Sequence, residues 1–323
     1  MTLWLARLVN RGGGCSANFF MNIIETHDLT RRFGRTEAVH GLNLAVPEGS
    51  VFALLGPNGA GKTTTIKLLM GLLRATHGSA TVLGVDSRKL GEREKARIGY
   101  VSENQDMPLW MTVRQLLDYC RPFYPTWDRD LEKSLLAQFA LPENQKLKHL
   151  SRGMLMKAAL LSSLAYRPKL LILDEPFSGL DPLVRDEFIR GMLDVSSQGD
   201  WTVFVSSHDI DEVERLADHV GMIEAGRLRL NEPTDTLQAR FRQVELTLEE
   251  EPNLANVPST WLELERAGNL IRFVATDYER ASTEQACRER FPRASVVAKP
   301  MSLREIFLVL ARAARRNGRE AAA

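Results

Sequence analysis

An octapeptide, GPNGAGKT at 56–63, follows directly on the apolar run VFALL at 51–55. Few folds accommodate that order. A short apolar run bounded by turn residues reads as a strand buried on both faces. Gly56, Gly59 and Gly61 free the backbone from Cβ clashes, so successive N–H groups can turn inward around an anion. Apolar residues at helical spacing over 62–73 start a helix near Gly61, whose positive end adds to the same place. The pattern is G-x-x-x-x-G-K-[ST]: Lys62 supplies a mobile cation for β- and γ-phosphates, and the Thr63 hydroxyl a ligand for Mg²⁺. These residues imply a nucleoside triphosphate site.

A second segment, KLLILDEP at 169–176, completes it. An apolar strand delivers two carboxylates at its end. Mg²⁺ takes one or two carboxylates beside phosphate oxygens and keeps water, so Asp174 is expected on the metal side. Successive strand residues alternate faces, so Glu175 is expected to point elsewhere and to take a proton from an attacking water.

Composition narrows the class. The 42 basic and 41 acidic residues nearly cancel, so no global basic field argues for nucleic acid. Cys15, Cys120 and Cys287 are scattered without metal-ligand spacing and read as reduced thiols of a cytosolic protein. No apolar run nears the roughly 18 residues that span a bilayer. The opening MTLWLARLV is short and broken by Arg7, which argues against a signal peptide. Residues 1–20 are expected to be a disordered extension, with Met21 a plausible start.

Short strands dominate from Met21 on. Strands are expected over 22–29, 42–46, 51–55, 170–173, 202–206 and 219–228, with a turn at 31–35. Residues 112–164 lack strand runs and read as several helices. A boundary near 232–236 precedes a small α+β domain, with strands in VELTL, WLELE, LIRFVA and SVVA and helices over 279–291 and 303–314. Phe123, Tyr124 and Trp127 form an aromatic cluster read as packing within the helical region.

Further segments carry a resemblance. SGLD (178–181) follows Asp174-Glu175-Pro176, LSRGM (150–154) precedes them, VSSHD (205–209) follows a strand, and Phe33 lies upstream of Gly56. In this order and spacing the chain resembles the ATP-binding-cassette (ABC) ATPase family over about residues 21–232. The resemblance implies an α/β fold: a P-loop NTPase core with a mixed sheet and an inserted helical subdomain at about 104–165. Residues 236–323 then form the small C-terminal α+β domain. It implies ATP and Mg²⁺ as ligands. Phe33 would stack on adenine, and Gly56, Pro57, Asn58, Gly59, Ala60, Gly61, Lys62, Thr63 and Thr64 would wrap the phosphates. His208 would contact the γ-phosphate beside the catalytic Glu175 and Lys62. In a head-to-tail dimer, Ser151 and Gly153 of one copy would hold the other's γ-phosphate, and Asp181 would end the dimer-contacting loop.

Two departures stand out. Arg152 and Met154 replace residues of the commoner Leu-Ser-Gly-Gly-Gln. IGYVSEN (98–104) places Glu103 where the family usually has a glutamine that ligates Mg²⁺, alongside Thr63 and Asp174; Gln105 is the rival candidate. The resemblance implies an ATPase subunit, cytoplasmic and peripheral on the inner face of the cell membrane. It would pair with a second such subunit, a homodimer, and drive separate membrane-spanning permease subunits. The IGYVSEN, FYPTWD, LSRGM and SLREIF segments look like bacterial exporter-type ATPases of the multidrug or antibiotic-resistance group. An importer ATPase or a soluble non-transport relative is the alternative. A GTPase is excluded by the lack of an Asn-Lys-x-Asp base reader. Translation-factor relatives carry two cassettes, and chromosome and repair relatives insert a long coiled coil between the two nucleotide motifs.

Overall fold

The computed structural model describes residues 21–196, 201–249, 257–258 and 260–320. The expectation of an N-terminal extension, and Cys15, lie outside the described residues. In chain order the first elements are β1 (Asn22–Phe33), β2 (Thr36–Leu42), β3 (Ala45–Pro47), β4 (Val51–Leu55) and α1 (Lys62–Leu69). Next come β5 (His77–Val82), β6 (Val85–Asp86), α2 (Glu92–Lys95), β7 (Ile98–Ser102), α3 (Val113–Cys120), α4 (Arg129–Gln138) and α5 (Arg152–Leu164). They are followed by β8 (Leu170–Asp174), α6 (Pro182–Ser196), β9 (Thr202–Ser207), β10 (His219–Glu224), β11 (Arg227–Pro233) and α7 (Thr234–Arg240). The last are β12 (Arg242–Thr247), β13 (Trp261–Ala267), β14 (Leu270–Ala275), α8 (Arg280–Arg290), β15 (Ser295–Pro300) and α9 (Leu303–Glu320).

A six-stranded sheet of order β11-β10-β4-β9-β8-β7 carries the site; only its β10–β11 pair is antiparallel. Alternation divides its side chains between two cores. Ala53, Leu55, Leu171, Leu173, Val203 and Val205 pack beneath α3–α6. Phe52, Leu54, Leu170, Ile172 and Phe204 face α1 and a second, antiparallel sheet of β1, β2, β3, β5 and β6. Phe52 and Phe204 stack with centroids 5.5 Å apart across the β4–β9 pair. An aromatic pair on neighbouring strands of a buried sheet stabilises the pairing beyond its area.

Local differences from the expected elements have identifiable causes. The turn at 31–35 shrinks to Gly34 and Arg35, because β1 continues to Phe33 by pairing Arg32 with Glu37. The strand expected over 42–46 is two strands, broken at Asn43 and Leu44, where the Leu44 N–H donates to the Thr26 hydroxyl at 2.8 Å. The first helix stops at Leu69 rather than 73. Gly71 has φ 69°, and a Cβ there would lie 2.3 Å from the Ser87 carbonyl oxygen. Among the aromatic cluster, Tyr124 stacks on Tyr166 at 3.8 Å and the Trp127 indole N–H donates to Glu132 at 2.7 Å, which is packing. Phe123 stays exposed.

Past β11 the chain turns into α7, whose Leu237, with Phe241 just after the helix, is buried in the core beneath the central sheet. The C-terminal sheet, β13-β14-β12-β15, is antiparallel throughout. One face packs on α8 through Val244, Ile271, Phe273, Cys287 and Phe291. Val274, on the other face, joins Leu303, Ile306 and Phe307 of α9 in the same apolar cluster as the central sheet. The two parts therefore share this cluster, while the α8 face of the C-terminal sheet keeps a core of its own. Cys120 and Cys287 are free thiols. Among the described residues, no helix is long and apolar enough to cross a membrane.

Candidate nucleotide site

Parallel strands β4, β8 and β9 end side by side, and the functional residues come off those ends. Register places Asp174 of β8 opposite Ser206 of β9. The Ser206 hydroxyl donates to Asp174 Oδ1 at 2.7 Å, and the Thr63 hydroxyl, at the first turn of α1, donates to the same oxygen at 3.1 Å. Asp174 is buried, and desolvation raises its carboxyl above the ordinary aspartate range despite those two donors. The nearby Lys62 ammonium pulls the same way as the hydroxyls, and burial still outweighs them.

Glu175 sits just past the strand in the left-handed region, φ 53°, with its N–H donating to the Ser206 Oγ at 3.1 Å. Glu175 takes partners other than those of Asp174, as expected of successive residues at a strand end, yet both line one cavity of about 350 Å³. Each oxygen of Glu175 has a partner. Lys62 Nζ is 2.9 Å from Oε1, and His208 Nδ1 is 2.7 Å from Oε2. Burial pushes the Glu175 carboxyl upward, but the bonds from His208 and Lys62 more than offset this, and it ends below the usual glutamate range.

The loop itself is held by its glycines. A Cβ on Gly56 would fall 2.2 Å from the Ile223 carbonyl oxygen, and one on Gly61, at φ 108°, 2.3 Å from that of Ala38. Gly59, at φ 80°, faces open space. Lys62 is nearly enclosed and donates to the Gly56 and Pro57 carbonyls at 2.5 and 3.1 Å. Its ammonium is therefore tied to the backbone of its own loop.

Lys62, Thr63, Asp174, Glu175 and His208 are thus brought together. Glu103 joins the cavity wall with its N–H donating to the Asp174 carbonyl at 3.0 Å, but its Oε1 accepts from Arg152 and, at 2.9 Å, from Ser178. Gln105 lines the wall too, with Oε1 accepting from the Ser102 N–H at 3.4 Å. Phe33, Ser151, Gly153 and Asp181 are not among the described residues lining that cavity. Phe33 is half-exposed at the end of β1 with the Arg31 guanidinium 4.4 Å over its ring. Ser151 caps α5, accepting from the Met154 N–H at 3.2 Å, and Asp181 caps α6, accepting from Leu183 and Val184. Ser206 is the functional neighbour the sequence reading passed over. The two serines closing the apolar run TVFVSS, beside an equally apolar strand ending in Asp, were the signal for it.

Thr63 and Asp174 suit a Mg²⁺ ion that arrives with its nucleotide. Among the described residues no cluster of three or more His, Cys, Asp or Glu side chains could hold a metal alone. One hydroxyl and one desolvated carboxylate leave the other positions to phosphate and water.

A family model described as ABC transporter matches residues 39–178. The bacitracin transport ATP-binding protein BcrA of Bacillus licheniformis is 35% identical over 223 residues, 68% of this chain and 73% of that protein. The ABC transporter ATP-binding protein YtrB of Bacillus subtilis is 28% identical over 292 residues, 88% of this chain and 97% of that protein. The solved structure of cbiO1 from Clostridium perfringens, described as part of the ABC transporter complex cbiONQ, superposes with a TM-score of 0.59. It is 27% identical and covers 68% of this chain and 91% of that one. The chain belongs to the ABC transporter family, as an ATP-binding and ATP-hydrolysing subunit.

Proposed function

We propose that this subunit hydrolyses ATP in the cavity between Thr63 and Glu175 to drive export through separate membrane-spanning subunits, as one half of a head-to-tail dimer. The observation that carries the catalytic part is the placement of one carboxylate, Glu175, between Lys62 and His208. Lys62 would bind phosphate oxygens, and Glu175 would accept a proton from water attacking the γ-phosphate in line. His208 keeps the other oxygen oriented. Thr63 and Asp174 would hold Mg²⁺, which would neutralise charge on the phosphates.

Export rests on likeness to a protein whose name is bacitracin transport, and on the exporter-type segments of the sequence. The membrane-spanning partners dock near Glu103 and the helical region, where Leu109, Trp110, Tyr119 and Phe123 are exposed apolar side chains. Ser151 and Gly153, at the start of α5, meet the partner copy's γ-phosphate. Purified protein with Mg²⁺ is expected to retain ATP and Lys62→Ala to lose it, and the wild-type chain to co-purify with a polytopic membrane protein. Equal ATP retention by both proteins overturns the nucleotide site; a chain that never associates with membrane protein overturns the transport role.

A further inference from the structure

Four carboxylates, Glu103, Asp106, Asp174 and Glu175, against one lysine, Lys67, line the cavity proposed for a polyanion. Such a wall repels phosphates unless its charge is compensated. Glu175 has Lys62 and His208. Glu103 has Arg152, the first residue of α5, whose guanidinium donates to Oε1 while the Ser178 hydroxyl donates to the same atom at 2.9 Å. The guanidinium also lies against the backbone of Gly179. That residue has φ 67°, and a Cβ on it would stand 2.9 Å from Arg152 Nη1, so the turn after β8 leaves just enough room for the arginine. One ion pair thereby ties together the loop after β7, the start of α5 and the turn at 178–179. The backbone of Glu103 is bonded in turn to the end of β8, its N–H donating to the Asp174 carbonyl at 3.0 Å.

We propose that Arg152 is a positioning residue for nucleotide binding: it anchors and neutralises Glu103, so that a cavity with more acids than bases in its wall accepts a triphosphate. The inference rests on the proposed nucleotide site and deepens it. A unit charge uncovered a few ångströms from phosphate, in a partly solvated site, changes affinity by about tenfold, and added salt screens that change.

The test is titration of a fluorescent ATP analogue in EDTA, so that no metal enters, at low salt and again in 0.5 M salt. Arg152→Ala is expected to bind about tenfold more weakly than wild type at low salt, with the gap narrowing in high salt. Arg152→Lys, which keeps the charge, recovers most of the affinity. Glu103→Gln combined with Arg152→Ala binds within about twofold of Glu103→Gln alone, because there is no charge left to cover. A general packing role for Arg152 predicts instead an equal loss in both backgrounds and no rescue by lysine, and that result overturns the proposal, as does wild-type affinity in Arg152→Ala. Lys62→Ala run in parallel separates the two levels. If it abolishes binding while Arg152→Ala has no effect, the site stands and the role of Arg152 falls; if it has no effect, both fall.

Discussion

Lys62 Nζ stands 2.9 Å from Glu175 Oε1, so the cation proposed for phosphate and the carboxylate proposed as base are paired with each other. This makes Glu175→Gln a selective lesion. The amide keeps the shape and a hydrogen bond to His208 but cannot take a proton, and it no longer holds Lys62 by charge. Turnover is expected to fall about 10²–10⁴-fold, while ATP affinity stays the same or rises. Steady-state phosphate release and nucleotide titration on the same preparation check both halves; normal turnover rules Glu175 out as the base.

Asp174→Asn trades stability against function. Desolvation raises the native carboxyl above its ordinary 3.8, so the native state holds that proton to higher pH than the unfolded chain does. Stability therefore declines as pH rises from about the ordinary aspartate value through the native one, and stays reduced at neutrality. Asparagine removes the decline and still accepts from Ser206 and Thr63. Without nucleotide at pH 7, Asp174→Asn is expected to melt above wild type, with a flatter pH profile across the acidic range, yet to gain little Tm from Mg-ATP. Thermal melts from pH 4 to pH 7, with and without Mg-ATP, give the comparison.

Gly153 has a reason to be glycine inside its own chain. A Cβ there would lie 2.6 Å from Val184 Cγ1 where α5 crosses α6, and valine has little freedom at χ1 to retreat. Overpacking of this kind costs about 1–3 kcal/mol, against which alanine's better helix propensity returns up to about 1 kcal/mol. Gly153→Ala is expected to be destabilised in urea unfolding, and Val184→Ala in the same chain to relieve it, so that the double variant is more stable than the sum of the singles. Strict additivity would show that the two helices do not meet at these residues.

Legibility followed how local each constraint was. The apolar runs of β4, β8 and β9 announced buried strands because parallel central strands need no polar face, and the glycine loop carries its conformational demand in its own residues. β5 and β7 were not read as strands: HGSATV and IGYVS mix glycine and small polar residues, and pairing with β1 and β8 decides them. The Asp174–Ser206 and Glu103–Arg152 partnerships depend on sheet register and helix packing, which join positions far apart in the chain. The domain boundary was legible as a change of elements but not as a shared core, because Leu237, Val274 and Ile306 look like residues of any local cluster.

That shared core carries the last prediction. Ile306 of α9 is fully buried in the apolar cluster that also holds Leu173 and Val205 beneath the nucleotide site. The start of α9 is pinned to the segment after His208 as well: the Leu303 N–H donates to Glu214 at 2.8 Å, and Arg304 pairs with Asp211 at 2.5 Å. The exposed Arg304–Asp211 pair is worth at most about 1 kcal/mol, so the apolar contact dominates. Ile306→Ala is expected to cost about 2–5 kcal/mol and, since the cluster is continuous, to destabilise both parts together. Far-UV circular dichroism and release of a bound fluorescent nucleotide should then report the same lowered urea midpoint, in one transition. A C-terminal domain that folds independently predicts two midpoints, with nucleotide release unmoved by the substitution.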